Sequence, residues 1–171
     1  MSEQQDSELL EMREGGRAFR DRVSNPWAFR AYMMVKMPVL GITGSYLTHL
    51  GPRRAELVTP FGWGTKNLFG GLFDSAVMAA VETTTLSLIV LHSRNQEADL
   101  AAELTHVEIG RHASVKQQVR VRCDQGLKVA RAVESAGAAC PHEFSLRATV
   151  DSEGGRRTHD VALRWRLIEA D

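Results

Sequence analysis

The segment Leu72–Leu91 limits the possible folds of this chain more than any other. It holds only two charged side chains, Asp74 and Glu82, among apolar and small hydroxyl residues. A helix apolar nearly all round has no face to give to water and must be buried nearly all round. Its length approaches a bilayer span, but both carboxylates and three successive threonines, Thr83–Thr85, interrupt it, and a carboxylate inside a bilayer is costly. We therefore expect a buried core helix from Leu72 to about Arg94. The rest of the chain must then supply apolar faces to cover it.

The C-terminal half does so by alternation. Phe144, Leu146, Ala148 and Val150 fall on one face of a strand, and Val161, Leu163, Trp165 and Leu167 on one face of the next. Ser152-Glu153-Gly154-Gly155 joins them as a hairpin turn. A further strand over Ala113–Cys123 would turn Val115, Gln117, Val119, Val121 and Cys123 inward, and one over Leu104–Ile109 would turn in Thr105, Val107 and Ile109. Upstream, Ile42–His49 and Ala55–Thr59 read as strands around the turn Gly51-Pro52-Arg53-Arg54. Ser24-Asn25-Pro26 starts a helix over Trp27–Met37 that Pro38 ends, and Asp124–Ser135 has the spacing of a short helix. Phe61–Gly71, with four glycines in eleven residues, reads as a loop with unusual backbone angles. Curling one antiparallel sheet around the apolar helix buries all these faces at once, so the expected class is α+β with a central helix. Residues 1–23 read as a charged, partly flexible leader, partly helical near Glu8–Met12 and broken at Gly15-Gly16. Residues 24–171 read as one domain.

The 21 basic and 21 acidic residues leave no net charge, which argues against a nucleic-acid partner or general attraction to an anionic membrane. Cys123 and Cys140 show no spacing that demands a disulfide, and reduced thiols suit a cytoplasmic protein. The six histidines lack zinc-ligand spacing, so no metal site is expected. No Gly-x-Ser-x-Gly elbow or phosphate loop is present.

The order of elements, with Phe69-Gly70-Gly71 just ahead of the long helix and Asn67 before them, resembles the hot-dog fold. The segments "KNLFGG", "AAVETTT" and "WAFRAYMMVKMP" are similar to PaaI-like acyl-CoA thioesterases and a related hot-dog branch, over roughly residues 26–169. The resemblance implies an acyl-CoA or other acyl-thioester ligand, coenzyme A entering as part of the substrate and not as a cofactor. It also implies a homodimer or dimer of dimers. Many such enzymes carry His-Gly-Gly where Phe69-Gly70-Gly71 stands, and the amides near Gly70 and Gly71 would hold the substrate carbonyl. They carry a helix carboxylate two turns in, where this chain has Met78.

The carboxylates here are Asp74 and Glu82, each four residues from Met78 and on its helical face. Glu82, amid alanines and valines, is the preferred water-activating base; it could equally hydrogen-bond buried backbone or a partner chain. Asp74 reads more simply as a helix-dipole partner, and Asn67 as either a group orienting water or a turn residue. Arg120, Arg122, Arg164 and Arg166 fall on outward faces, where they suit solvent or the phosphates of coenzyme A. Two further readings stand beside hydrolysis: a non-catalytic module binding an acyl or lipid-like ligand, and a structural role.

Overall fold

The computed structural model describes residues 3–170. Four helices lead: α1 (Glu3–Leu9), α2 (Glu14–Ser24), α3 (Pro26–Lys36) and α4 (Pro38–Thr43). Strands β1 (Tyr46–Leu50) and β2 (Ala55–Thr59) follow, then a 3-10 turn at Trp63–Thr65 and the long helix α5 (Asp74–Asn95). The chain finishes with β3 (Leu100–Arg111), β4 (Val119–Cys123), α6 (Gly126–Ala138), β5 (His142–Ser152) and β6 (Arg157–Glu169). The six strands form one antiparallel sheet in the order β1-β2-β4-β5-β6-β3.

The sheet is the cover that α5 requires. Val119, Val121 and Cys123 of β4, Phe144 to Val150 of β5 and Val161 to Leu167 of β6 all turn alternate residues into the core, as their patterns predict. Val77, Val81, Leu88 and Leu91 meet them from the helix. All three threonines bond back along it: Thr83 Oγ1 donates to the Ala79 carbonyl, Thr84 to Ala80 and Thr85 to Val81. Their hydroxyls are thereby buried at little cost. At the far end His92 Nε2–H donates to the Pro52 carbonyl at 3.0 Å, tying α5 to the β1–β2 turn.

Several boundaries differ from the expectation. Ile42 and Thr43 close α4, because Pro38 restarts the chain as a new helix instead of releasing it into a strand. The strand predicted from Ala113 begins only at Val119, and Gln117 is exposed. Thr105 is exposed because a bulge between Leu104 and His106 skips it. Val107 and Ile109 keep the inward register, opposite Leu163 and Val161. Gly15 and Gly16 do not break the leader. They lie in the first turn of α2, where a side chain would strike the Arg94 carbonyl and the Asn95 side chain. Asn95 fastens the contact, its Oδ1 accepting from the Arg13 amide and its Nδ2 donating to the Glu11 carbonyl at 2.7 Å.

The burial of α5 is also less complete than expected. Asp74, Met78, Glu82, Leu86 and Val90, at four-residue spacing, form a half-buried stripe. Beside it the inner face of β3 is thinly covered, with Ile109 44% exposed. β3 is the last strand of the sheet, so nothing among the described residues closes over this flank.

Candidate functional site

The loop ahead of α5 is built around Asn67. Its side-chain Oδ1 accepts from the amides of Phe69 (2.9 Å) and Gly71 (3.0 Å), while the Gly70 amide donates to the Asn67 carbonyl (3.0 Å). Gly70 has a φ of +75°, a left-handed conformation that disfavours other residues. A Cβ at Gly71 would pack tightly against Ser114 Oγ at 3.3 Å and Asn67 Nδ2 at 3.4 Å. The next two amides are engaged as well, Leu72 with the Val115 carbonyl and Phe73 with that of Thr65. The amides of Gly70 and Gly71, which the resemblance assigns to the substrate carbonyl, are thus bonded within the loop. The first amides without an intrahelical acceptor are those of Asp74 and Ser75, the opening residues of α5.

Asp74 lines a cleft of about 810 Å³ together with the apolar Trp63, Leu68, Phe69 and Phe73 and with Arg111. Phe69 and Leu68 stand almost wholly in solvent, so the walls are apolar and open.

Asp74 anchors a polar cluster spread over three elements. Its Oδ2 pairs with Arg111 Nη1, from the end of β3, at 2.9 Å. Its Oδ1 faces His159 Nε2, from the start of β6, at 3.6 Å, and neither of these buried atoms has a hydrogen-bond partner. On the other side of the ring, His159 Nδ1 lies 3.0 Å from Thr158 Oγ1, whose hydroxyl also bonds the Val150 carbonyl at 3.0 Å. A carbonyl can only accept, so the single hydroxyl proton goes to Val150 and Nδ1–H donates to Thr158. His159 therefore turns the lone pair of Nε2 toward Asp74. Its pKa is lowered first by burial, with the charges of Arg111 and His112 acting the same way against an opposing pull from Asp74. Burial thus favours the neutral ring, whose Nε2 faces the carboxylate. Outside this pair, His112 Nε2 and Arg157 Nη1 hold the two oxygens of Asp160 at 2.8 and 2.6 Å.

Glu82 and Met78 are not part of this cluster. Both lie farther along the half-buried stripe of α5, Glu82 about 12 Å from Asp74 along the axis. Glu82 is half-buried rather than enclosed, because its stripe of α5 lies along the thinly covered flank beside β3. Among the described residues, no group of three or more His, Cys, Asp or Glu is placed to hold a metal ion.

Sequence reasoning missed His159, Thr158 and Arg111. The signal for His159 was present: it continues the inward series Val161, Leu163, Trp165, Leu167 by one step, and a histidine on an otherwise apolar face calls for a partner. That partner opens α5, which four elements separate from β6, and only the fold joins them.

No protein-family model and no curated protein matches this chain. Solved structures do. A Chlorobaculum tepidum protein of unknown function superposes with a TM-score of 0.73 at 11% identity, over 85% of this chain and 94% of that one. A Pseudomonas aeruginosa protein named as a probable thioesterase gives 0.71 at 19% identity, over 82% and 93%. A Haemophilus influenzae thioesterase gives 0.63 at 13% identity, over 85% and 91%. Likeness at these identities establishes the fold, which is the hot-dog fold of thioesterase-like proteins.

Proposed function

We propose that the protein hydrolyses an acyl thioester, such as an acyl-CoA, at the N-terminus of α5. One observation carries this reading: the free first-turn amides, Asp74 and the apolar-walled cleft open at the same point, with His159 directly behind Asp74. Several proteins that share the fold are named as thioesterases, which supports it.

The chemistry would proceed as follows. The acyl chain lies along Phe69 and Phe73, and the thioester carbonyl accepts from the Asp74 and Ser75 amides at the positive end of the helix dipole. Asp74 takes a proton from water, and the resulting hydroxide attacks the carbonyl carbon. The tetrahedral intermediate collapses by breaking the C–S bond. The sulfur leaves as thiolate and recovers the proton, giving a carboxylic acid and a thiol. His159 Nε2 is the neighbouring acceptor that can hold the proton in transit. Asn67 acts indirectly, by fixing the loop that presents the helix end.

A second reading, binding without turnover, is favoured by the Arg111–Asp74 ion pair, which occupies one oxygen of the base.

Hydrolysis of short, long and aromatic acyl-CoA esters tests the proposal. Asp74→Asn should lower kcat/KM by about 10²- to 10⁴-fold, the usual contribution of a general base. Glu82→Gln should leave most activity in place. The reverse pattern would move the base to Glu82, and saturable binding without turnover by the wild type would establish the second reading.

A further inference from the structure

The helices α3 and α4 bury one side only. Phe29, Met33 and Leu40 enter the core, and Met34 packs against Gly41 to hold the two helices together. The opposite side presents Trp27, Met34, Val35, Val39 and Ile42 to solvent, with Trp27 80% and Val35 78% exposed. Ile42 touches Gly64, so the surface continues onto the turn that carries Trp63, 91% exposed. An apolar surface of this extent, with two tryptophans at its tips, marks an interaction site.

Its charge is one-sided. Residues 25–43 and 60–73 contain Arg30, Lys36 and Lys66 and no Asp or Glu, in a chain that as a whole balances 21 bases with 21 acids. All three cations are exposed, Lys66 lying over the Phe61 ring at 4.9 Å from its centroid. Zero net charge over the whole chain hides this local excess. A second copy of the chain is a poor occupant. It would set the same cations against each other, and the bare strand edge that invites a second copy is β3, at the other end of the sheet from β1, against which α3 packs.

We propose that the outward face of α3 and α4, extended by Trp63, docks on an anionic lipid bilayer. Tryptophans seat at the boundary between headgroups and acyl chains, aliphatic tips sink just below it, and lysines and arginine meet the acidic headgroups. This is contact with one leaflet only, and α5 stays in the core. The inference stands without the thioesterase reading.

Sedimentation with vesicles tests it, followed in parallel by tryptophan emission, since Trp27 and Trp63 are exposed while Trp165 is buried. Vesicles of equal parts phosphatidylcholine and phosphatidylglycerol should carry the protein down and shift its emission to the blue, whereas pure phosphatidylcholine should do so far less. Added salt should weaken the binding. Lys36→Gln and Lys66→Gln should each weaken it about fivefold, a lysine near an anionic surface contributing on that scale. Val35→Asp should abolish it while the far-ultraviolet circular dichroism is unchanged. Absence of pelleting, equal pelleting by both vesicle types, or Lys36→Gln and Lys66→Gln variants that bind as tightly as wild type would each overturn the proposal. It also fails if Val35→Asp reduces the oligomer mass of a wild type that ignores vesicles, since the face would then be covered by another copy.

Discussion

At the scale of single residues, burial of histidine dominates. His92 and His159 both have pKa values lowered from 6.5, desolvation being the first cause in each. The unfolded chain takes up protons near pH 6.5 that the folded chain refuses, so the unfolded state binds more protons below that pH. Stability should therefore fall as pH drops below about 6.5, and go on falling until the lowered folded-state values are reached. Thermal melts across this range should show the decline, and His92→Gln or His159→Gln should flatten it. An unchanged slope in both variants would mean that other groups control acid sensitivity. Asp74 shows how much of the site could be read in advance. Its position at the helix start was visible in sequence, as was the Gly-Gly pair. Its partners were not, because Arg111 and His159 reach it from the end of β3 and the start of β6, and no local pattern encodes such a meeting. Glu82, expected to be enclosed by alanines and valines, is only half-buried, because the side of α5 that carries it lies along the thinly covered flank beside β3.

Among the elements, alternation and capping were legible and close packing was not. β5 and β6 follow their patterns because each has one face in the core, and α3 starts at Asn25, whose Oδ1 accepts from the Trp27 and Ala28 amides at 3.0 and 3.2 Å. The glycines misled where they serve contact instead of a turn. Gly15 and Gly16 let α2 lie directly on the end of α5. Gly126 does the same for α6, since a Cβ there would run into the Pro52 carbonyl and the Arg53 backbone. Backbone cannot swing aside as a side chain can. Gly126→Ala should cost about 1–3 kcal/mol, the usual range for overpacking, although alanine is the better helix former. Chemical denaturation would measure this, and a neutral or stabilised variant would show that the β1–β2 turn yields freely.

For the whole molecule, the uncovered flank is the main fact. The half-buried stripe of α5 and the inner face of β3 lie side by side at an unpaired sheet edge. We propose that a second copy joins there, edge to edge, covering Ile109 and the Glu82 stripe together. Ile109→Glu should then convert a dimer into a monomer in sedimentation velocity. A wild-type monomer at micromolar concentration would exclude this arrangement. The bulge at Thr105, which decides which side chains of β3 face this flank, left no mark in the sequence pattern.

β6 holds two partners that differ greatly in how far the chain must travel to meet them. With β5 it forms a hairpin, its pairs running from Asp151 with Arg157 beside the turn to His142 with Leu167 at the open end. With β3 the pairs run from Arg111 with His159 to Leu100 with Glu169, and β4, α6 and β5 all intervene along the chain. Loop-closure entropy grows with separation, so the hairpin forms first and β3 closes onto it late. In the interval the outer edge of β6 is a template open to any β3, including that of another molecule. Refolding at high protein concentration should accordingly yield strand-exchanged species that dilution suppresses. Pulsed hydrogen exchange should find the β3 amides gaining protection after those of β5, and simultaneous protection of the two would refute this order of assembly.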